Sequence, residues 1–360
     1  MIECIKRMNF KSFKLWLNIV TILALGVLIY ISRGQISDTF AGFFDLNLFW
    51  MMMVIPLQLM SYYSVASFFK GTLETQGEKL PLSTMYKIAL ELNFVNSIFP
   101  SGGVSGFGYL GVRLKKEGVP TSKSTLTLVT RYSLTFVSFI IYLGVALLLL
   151  SVVGSASRLM VLICSTIISL VLVGAGLLIF VISSKQRITK FSAVLPKLVN
   201  SVVGVFRRHK KETIDIARVE RLFSNLNEDY LHVRRNWKQL KTPFLWIMLM
   251  SLMELLTIYV VYLAFGSVVN PGAIIVAYAV ANMAGLVSVL PGGVGVYEGL
   301  MTAVLASAGV PKALALTATL AYRITNMVLF LPVGFVFYQI ALRKKQIDPD
   351  AIPVSPLGRG

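Results

Sequence analysis

The ten residues Leu290–Gly299 read LPGGVGVYEG and lie between two strongly apolar segments. They place a proline, four glycines and the carboxylate of Glu298 where a continuous membrane helix would carry apolar side chains. Proline and glycine interrupt helices, and an acidic side chain is costly at membrane depth. The stretch therefore predicts a broken helix that carries a polar site inside a membrane protein.

The composition agrees with a membrane protein. The chain has 360 residues, of which 56% are hydrophobic and only 14% are charged. A soluble domain needs more polar surface than that, and several apolar runs reach the roughly 20 residues that a bilayer core demands. We therefore predict an all-α polytopic integral membrane protein. The predicted spans are 13–32, 46–69, 124–150, 157–183, 243–265 and 313–341.

Two further apolar regions, 84–112 and 271–309, are each interrupted by a glycine-rich break. Each region is predicted to be either a re-entrant hairpin or two short crossings, so that it returns to the side on which it began. We assign residues 1–342 to one transmembrane domain and 343–360 to a cytoplasmic tail.

Positive charge predicts the orientation of the spans. With the N-terminus in the cytoplasm, 29 of the 34 lysine and arginine residues fall on the cytoplasmic side, 14 of them in the loop 185–242. Positively charged loops stay in the cytoplasm, so both termini are predicted there. The excess charge of +18 suits the anionic lipids of the inner leaflet, and no nucleic-acid partner is expected.

The two breaks resemble each other. Pro100 and Pro120 match Pro291 and Pro311 at an offset of 191 residues, and Arg131 matches Arg323 at 192. We therefore predict an internal repeat, with repeat one at about 46–150 and repeat two at about 243–341. In the predicted topology the two breaks open from opposite sides, so the repeat would be inverted. Inverted repeats with broken helices are typical of alternating-access transporters.

Arg131 and Arg323 lie well inside predicted spans, where a charge needs a partner or an aqueous cavity. Their candidate partners are Glu91, Glu298 and Glu254. One interpretation is an Arg–Glu pair that locks a hairpin to a helix. The other is a guanidinium group that binds a lipid phosphate, with Glu91 and Glu298 holding a cationic headgroup. The two roles can coexist if such a pair opens during transport.

Uncharged residues near the breaks are further candidates. Gly102, Gly103, Gly292 and Gly293 would expose backbone N–H groups to an anion, or would simply allow close helix packing. Asn96 and Asn326 would line a polar cavity, or would form hydrogen bonds between helices. We expect no cofactor, metal site or catalytic residue, because the two cysteines are far apart and both histidines lie in one basic loop.

The chain is similar to one family over roughly residues 13–342. The most specific parts of the match are the motifs PSGGVSG, LPGGVGVYEG and LAYRITNMVLFLPVG. It resembles the flippase-like transmembrane domain of lysylphosphatidylglycerol synthase, also called multiple peptide resistance factor. The resemblance implies a plasma-membrane protein that moves aminoacylated phosphatidylglycerol to the outer leaflet and contributes to antibiotic resistance. In the full-length synthase, a separate C-terminal soluble domain transfers the amino acid from aminoacyl-tRNA to the lipid.

The chain ends about 18 residues after the last predicted span, so we expect the transport half without the soluble domain. The leading hypothesis is a phospholipid flippase. The alternatives are lipid aminoacylation of the phosphatidylglycerol lysyltransferase type, and flipping of a polyprenyl-phosphate-linked sugar. A further hypothesis is a scaffold for a separate synthase or glycosyltransferase partner.

Overall fold

The computed structural model describes residues 46–98, 104–152, 158–182, 184, 186–187, 237–287 and 293–343. Within these ranges all regular secondary structure is helical, which confirms the all-α prediction. The predicted span 13–32, most of the loop 185–242 and nearly all of the tail lie outside the described residues.

Nine α-helices are described, numbered here in chain order. They are α1 (Leu48–Glu74), α2 (Leu82–Ile98), α3 (Val104–Lys115), α4 (Thr121–Val152), α5 (Arg158–Ile182), α6 (Lys241–Ala264), α7 (Pro271–Val287), α8 (Val296–Ser307) and α9 (Lys312–Arg343). A short 3-10 helix, Trp237–Leu240, leads directly into α6. The predicted spans 46–69, 124–150, 157–183, 243–265 and 313–341 correspond to α1, α4, α5, α6 and α9.

Four of the described helices, α1, α4, α6 and α9, are long and apolar enough to cross a membrane. Large apolar side chains also stay exposed on the outside of the bundle, among them Leu148 on α4, Leu172 on α5 and Val328 on α9. Such a continuous apolar surface is unfavourable in water and suits lipid tails. These features confirm the prediction of a polytopic membrane protein.

In both glycine-rich regions the structure describes one helix on each side of the predicted break. Helix α2 ends at Ile98 and α3 begins at Val104, whereas α7 ends at Val287 and α8 begins at Val296. Helices α3 and α8 have 12 residues each. At 1.5 Å per residue they are about 18 Å long, well below the roughly 30 Å of a hydrocarbon core. The second arm of each hairpin is therefore too short to cross a bilayer by itself.

The backbone of the second break depends on glycine. Gly293 and Gly295 have φ angles of 66° and 86°, which side chains with a Cβ rarely adopt. Gly295 directly precedes α8. A Cβ on Gly293 would lie 3.5 Å from the Cα of Gly285, so the break also folds closely against the end of α7.

The described helices fall into two sets of four that match in order and length. Helices α2 and α7 have 17 residues each, α3 and α8 have 12 each, and α4 and α9 have 32 each. Helices α1 and α6, with 27 and 24 residues, complete the sets. Helices α4 and α9 begin at Thr121 and Lys312, which keeps the spacing of 191 residues between the two prolines.

The two hairpins begin at opposite ends of the bundle. At one end, the ammonium group of Lys116 donates to the carbonyl of Ala341 (2.7 Å), and Lys123 pairs with Glu78 (2.7 Å). These contacts place the outer ends of α2 and α3 beside the C-terminus of α9. At the other end, the N–H of Asn47 donates to the carbonyl of Ala264 at 3.0 Å, beside the start of α7. The two hairpins therefore start from opposite ends of the bundle, and the inverted repeat itself stays a prediction.

Helices of one set pack against helices of the other set. Helix α1 packs along α6, α2 packs against α9, and α7 packs against α4. Glycine allows both cross-set contacts to be close. A Cβ on Gly334 of α9 would lie 2.6 Å from the carbonyl oxygen of Leu90, and one on Gly272 of α7 would lie 2.7 Å from that of Ala146. The two sets thus form one interlocked bundle.

The α2–α9 contact gives a first prediction, for the substitution Gly334→Ala. The added methyl group would meet the carbonyl oxygen of Leu90, which cannot move without its helix. We expect a loss of about 1–3 kcal/mol, as for overpacking of a protein interior. The measurement is the midpoint of thermal unfolding in detergent, followed by fluorescence-detected size exclusion.

The matched control is Gly144→Ala on α4, where a Cβ would meet nothing within 4 Å. Alanine is the better helix former, so this variant should be as stable as the parent or more stable. Equal midpoints for the two variants would contradict the close contact.

Candidate functional site

A cavity of about 390 Å³ lies in the middle of the bundle, where both sets of helices contribute to its wall. Its charged lining residues are Arg131 on α4, Glu254 on α6 and Arg323 on α9. Polar side chains complete much of the lining: Ser61, Tyr62, Asn93, Asn96, Ser97, Tyr132, Thr135, Tyr278, Asn282, Tyr297, Tyr322 and Asn326. An interior this polar is unusual among membrane-length helices and indicates a space built for a polar group.

Arg131 faces this cavity from α4. Its guanidinium carbon lies 5.4 Å from the ring centroid of Phe69, a cation–π contact. No ion pair joins its side chain to any aspartate or glutamate in the described ranges. The planar donor edge of a guanidinium group matches two oxygens of a phosphate or carboxylate. Arg131 is therefore positioned to bind an anion that enters the cavity.

Arg323 differs from Arg131 because it already has a partner. Its Nη1 donates to Oε1 of Glu298 in the first turn of α8, and both side chains are largely buried. The other carboxylate oxygen of Glu298 accepts the N–H of Gly295 at 2.6 Å, which caps α8. The guanidinium carbon of Arg323 also lies 4.8 Å from the ring centroid of Tyr297. This pair ties the second break to α9.

Glu254 is a carboxylate held by neutral donors. It accepts hydrogen bonds from Ser61 Oγ (2.8 Å) and Gln58 Nε2 (3.1 Å) on α1, and from the hydroxyl of Tyr322 (2.7 Å) on α9. No lysine or arginine in the described part of the chain forms an ion pair with it. The negative charge of Glu254 is thus stabilised by dipoles and left available to a cationic group in the cavity.

The amide of Gln58 extends this network across three helices. Its Nε2 also donates to Thr257 Oγ1 at 3.2 Å, and its Oε1 accepts from Asn326 Nδ2 at 3.2 Å. The hydroxyl of Tyr62 donates to Asn326 Oδ1 at 3.4 Å. Helices α1, α6 and α9 are therefore joined by polar contacts in the region where apolar side chains would be expected.

Glu91, predicted to be a partner of an intramembrane arginine, lies outside the cavity. Its Oε2 accepts from Arg113 Nε at 2.9 Å and from the hydroxyl of Tyr109 at 2.7 Å. Arg113 also pairs with Glu117 at 2.6 Å. Glu91 and Arg113 are only 1% and 4% exposed, so this cluster fastens α3 to α2. The predicted contact of Glu91 with a cationic headgroup gains no support from this placement.

The other predicted residues divide into three groups. Asn96, Asn326 and Gly293 line the cavity. Asn96 packs so closely on α3 that a Cβ on Gly106 would lie 2.5 Å from its Oδ1, an atom without a hydrogen-bond partner in the described ranges. Glu298 is not among the residues that line the cavity, but it pairs with Arg323, which is. Gly102, Gly103 and Gly292 lie outside the described residues.

The sequence does not predict the contacts of three residues. It indicates Glu254 only as a partner for arginine and Arg113 only as a cytoplasmic charge, and it gives no role to Gln58. A signal existed for Gln58, because an amide in the middle of an apolar span needs an internal partner. No group of three or more His, Cys, Asp or Glu side chains in the described ranges is arranged to hold a metal ion.

The Arg323–Glu298 pair gives a prediction about stability for the substitution Glu298→Gln. The change leaves the guanidinium of Arg323 without its carboxylate in a largely buried position. Breaking a buried pair from one side costs about 3–5 kcal/mol, so the apparent midpoint of thermal unfolding should fall clearly.

Glu74→Gln is the matched control, since Glu74 pairs with Lys70 at 3.7 Å on an exposed face. Exposed pairs contribute about 0–1 kcal/mol, so the midpoint should hardly change. If Glu298→Gln unfolds at the same temperature as this control, the buried pair is not a structural link.

Comparison with known proteins agrees with the geometry. Residues 15–334 match the family described as the lysylphosphatidylglycerol synthase TM region. A UPF0104 membrane protein of Methanothermobacter thermautotrophicus is 34% identical over 120 residues, which cover 33% of this chain and 36% of the relative. A UPF0104 membrane protein of Methanocaldococcus jannaschii is 21% identical over 325 residues, or 90% of this chain and 93% of the relative. The chain belongs to the lysylphosphatidylglycerol synthase TM region family.

Proposed function

We infer that this protein moves a phospholipid between the two leaflets of its membrane by alternating access. The observation that carries the proposal is the central cavity, in which, among the described residues, no carboxylate pairs with the guanidinium of Arg131 and no cation pairs with Glu254. A charged group inside a membrane protein normally marks a substrate or ion pathway. Two charges of opposite sign in one cavity suit a ligand that carries both.

The phosphate of the lipid would bind at Arg131. A guanidinium group and a phosphodiester form two parallel hydrogen bonds, and these charge-assisted bonds are stronger in a low-dielectric cavity than in water. Asn96 and the tyrosine hydroxyls of the lining offer further donors. Arg323 would join only when its bond to Glu298 opens, so the same pair can serve both structure and transport.

A cationic or amine-bearing part of the headgroup would bind at Glu254. Its three hydrogen-bond donors are neutral, and no lysine or arginine in the described part of the chain forms an ion pair with it. The cavity volume of about 390 Å³ lies within the roughly 300–1,000 Å³ of small-molecule sites, so it suits a headgroup without the acyl chains. An aminoacylated phosphatidylglycerol fits these requirements, and so does phosphatidylethanolamine.

The family assignment supports a role at a lipid membrane, and the two hairpins at opposite ends support alternating access. A polyprenyl-phosphate-linked sugar shares the phosphate and would also use Arg131, but it carries no amine for Glu254. Lipid aminoacylation by this chain lacks a supporting observation in the site. The headgroup therefore separates the candidates experimentally.

The main test reconstitutes the purified protein in vesicles that contain fluorescent lipids and measures their exposure to a membrane-impermeant quencher. Arg131→Gln should slow lipid movement about ten- to a hundredfold, because a hydrogen bond to a charged group contributes about 1.5–3 kcal/mol. Arg131→Lys should retain part of the rate, since it keeps the positive charge.

Arg158→Gln serves as the control because it removes the same charge from an exposed position at the start of α5. Its rate should equal that of the parent. Unchanged movement in Arg131→Gln, or no movement above empty vesicles for the parent protein, would reject the transport proposal.

A second prediction concerns the headgroup and uses the substitution Glu254→Gln. The amide oxygen can still accept from Tyr322 and Gln58, and the amide NH2 can donate to the hydroxyl oxygen of Ser61, whereas the negative charge is removed. We expect slower movement of phosphatidylethanolamine or lysyl-phosphatidylglycerol, and little change for unmodified phosphatidylglycerol or a polyprenyl-phosphate sugar. Equal slowing of all four lipids would show that Glu254 acts on structure and not on headgroup choice.

A further inference from the structure

A second concavity of about 650 Å³ lies on the outside of the bundle, between α1, α2 and α9. We call it the lateral groove. Its walls are mostly aliphatic and aromatic, with Leu59 on α1, Leu90 on α2, and Phe330, Val333 and Phe337 on α9. Lys87 is the one charged residue among those that line it. A deep apolar groove on a membrane-facing surface needs an apolar occupant.

The charge and the apolar surface of the lateral groove are arranged along its length. Lys87 lies in the second turn of α2, at the end of the bundle where Lys116 contacts Ala341. Its Nζ is 5.8 Å from the ring centroid of Phe337. Phe330 lies two turns earlier on α9, so the groove extends about 10 Å from Lys87 toward the middle of the bundle. A cation at the mouth followed by apolar walls is the order of a phosphate followed by an acyl chain.

The lateral groove lies directly beside the central cavity. Phe330 lines the groove, whereas the next residue, Leu331, lines the cavity. The ring of Phe330 packs on that of Tyr62, another cavity residue, with 4.8 Å between the centroids. This ring contact between α1 and α9 is therefore part of the thin partition between the two spaces.

We propose that the lateral groove binds an acyl chain of a membrane phospholipid, with Lys87 at the lipid phosphate. The Tyr62–Phe330 contact is then the lateral gate through which the headgroup passes into the central cavity while the chain stays in lipid. A lysine near a membrane interface extends its ammonium group toward lipid phosphates, which favours a phospholipid over an uncharged lipid. The lipid site does not depend on the proposed transport function, whereas the gate rests on it.

The test of the site compares two substitutions that add the same bulk to the same helix. Val333→Trp fills the groove, whereas Val336→Trp adds a tryptophan to an exposed position outside it. Each purified protein is incubated in detergent with dioleoyl-phosphatidylglycerol or with dioleoylglycerol, which has the same chains without a phosphate. Bound lipid is counted by native mass spectrometry.

The parent and Val336→Trp should retain one phosphatidylglycerol molecule that Val333→Trp loses. Lys87→Gln should lower phosphatidylglycerol binding at least about fivefold without changing dioleoylglycerol binding. The site is rejected if Val333→Trp retains as much lipid as Val336→Trp. It is also rejected as a phospholipid site if Lys87→Gln affects both lipids equally.

Lipid movement in vesicles tests the gate separately. Val333→Trp should slow movement about tenfold relative to Val336→Trp. If the parent moves lipid and both variants match it, the groove is not on the path and the gate is rejected while transport stands. If the parent moves no lipid but Val333→Trp still loses its bound molecule, transport is rejected and the lipid site stands.

Discussion

The structure depends on how charge is stabilised at membrane depth. Glu254 lies in a membrane-length helix, where an unsolvated carboxylate is costly, and it is stabilised by hydrogen bonds from two other helices. Those bonds hold α1 and α9 against α6, so one half-buried carboxylate helps to fix the relative positions of three helices. Apolar packing alone specifies such positions weakly in lipid, because lipid tails are as apolar as the side chains.

The two intramembrane arginines have different contacts, although their positions differ by only one residue when α4 and α9 are aligned at their first residues. Arg323 pairs with Glu298, whereas Arg131 faces the cavity and contacts the ring of Phe69. The set that contains α9 therefore supplies a counter-charge for its arginine, and no carboxylate among the described residues pairs with Arg131. The two arginines that line the cavity therefore have different contacts, which two equivalent sets could not produce.

Much of the fold could be predicted from the sequence because its signals are local. Apolar runs predict the positions of α1, α4, α6 and α9, and the glycines predict the turn before α8, where Gly293 and Gly295 have positive φ angles. The pairing of Arg323 with Glu298 was among the predicted alternatives. The role of Glu254 and the pairing of Glu91 with Arg113 were not predicted, because a sequence gives the depth of a residue along its helix but not the direction in which it points. Whether a buried charge meets another charge, a hydroxyl or a cavity depends on that rotation.

The close-contact glycines show that the two sets are not interchangeable. In the α2–α9 contact the glycine belongs to α9, whereas in the α7–α4 contact it belongs to α7. The equivalent positions in the first set, by alignment of helix starts, are Leu143 in α4 and Ser83 in α2. A chimera made from two copies of the first set would have side chains at both crossing points and would force the helices apart. Two copies of the second set would place a glycine on each side of both crossings and leave them underpacked. The glycines thus make each set a specific complement of the other.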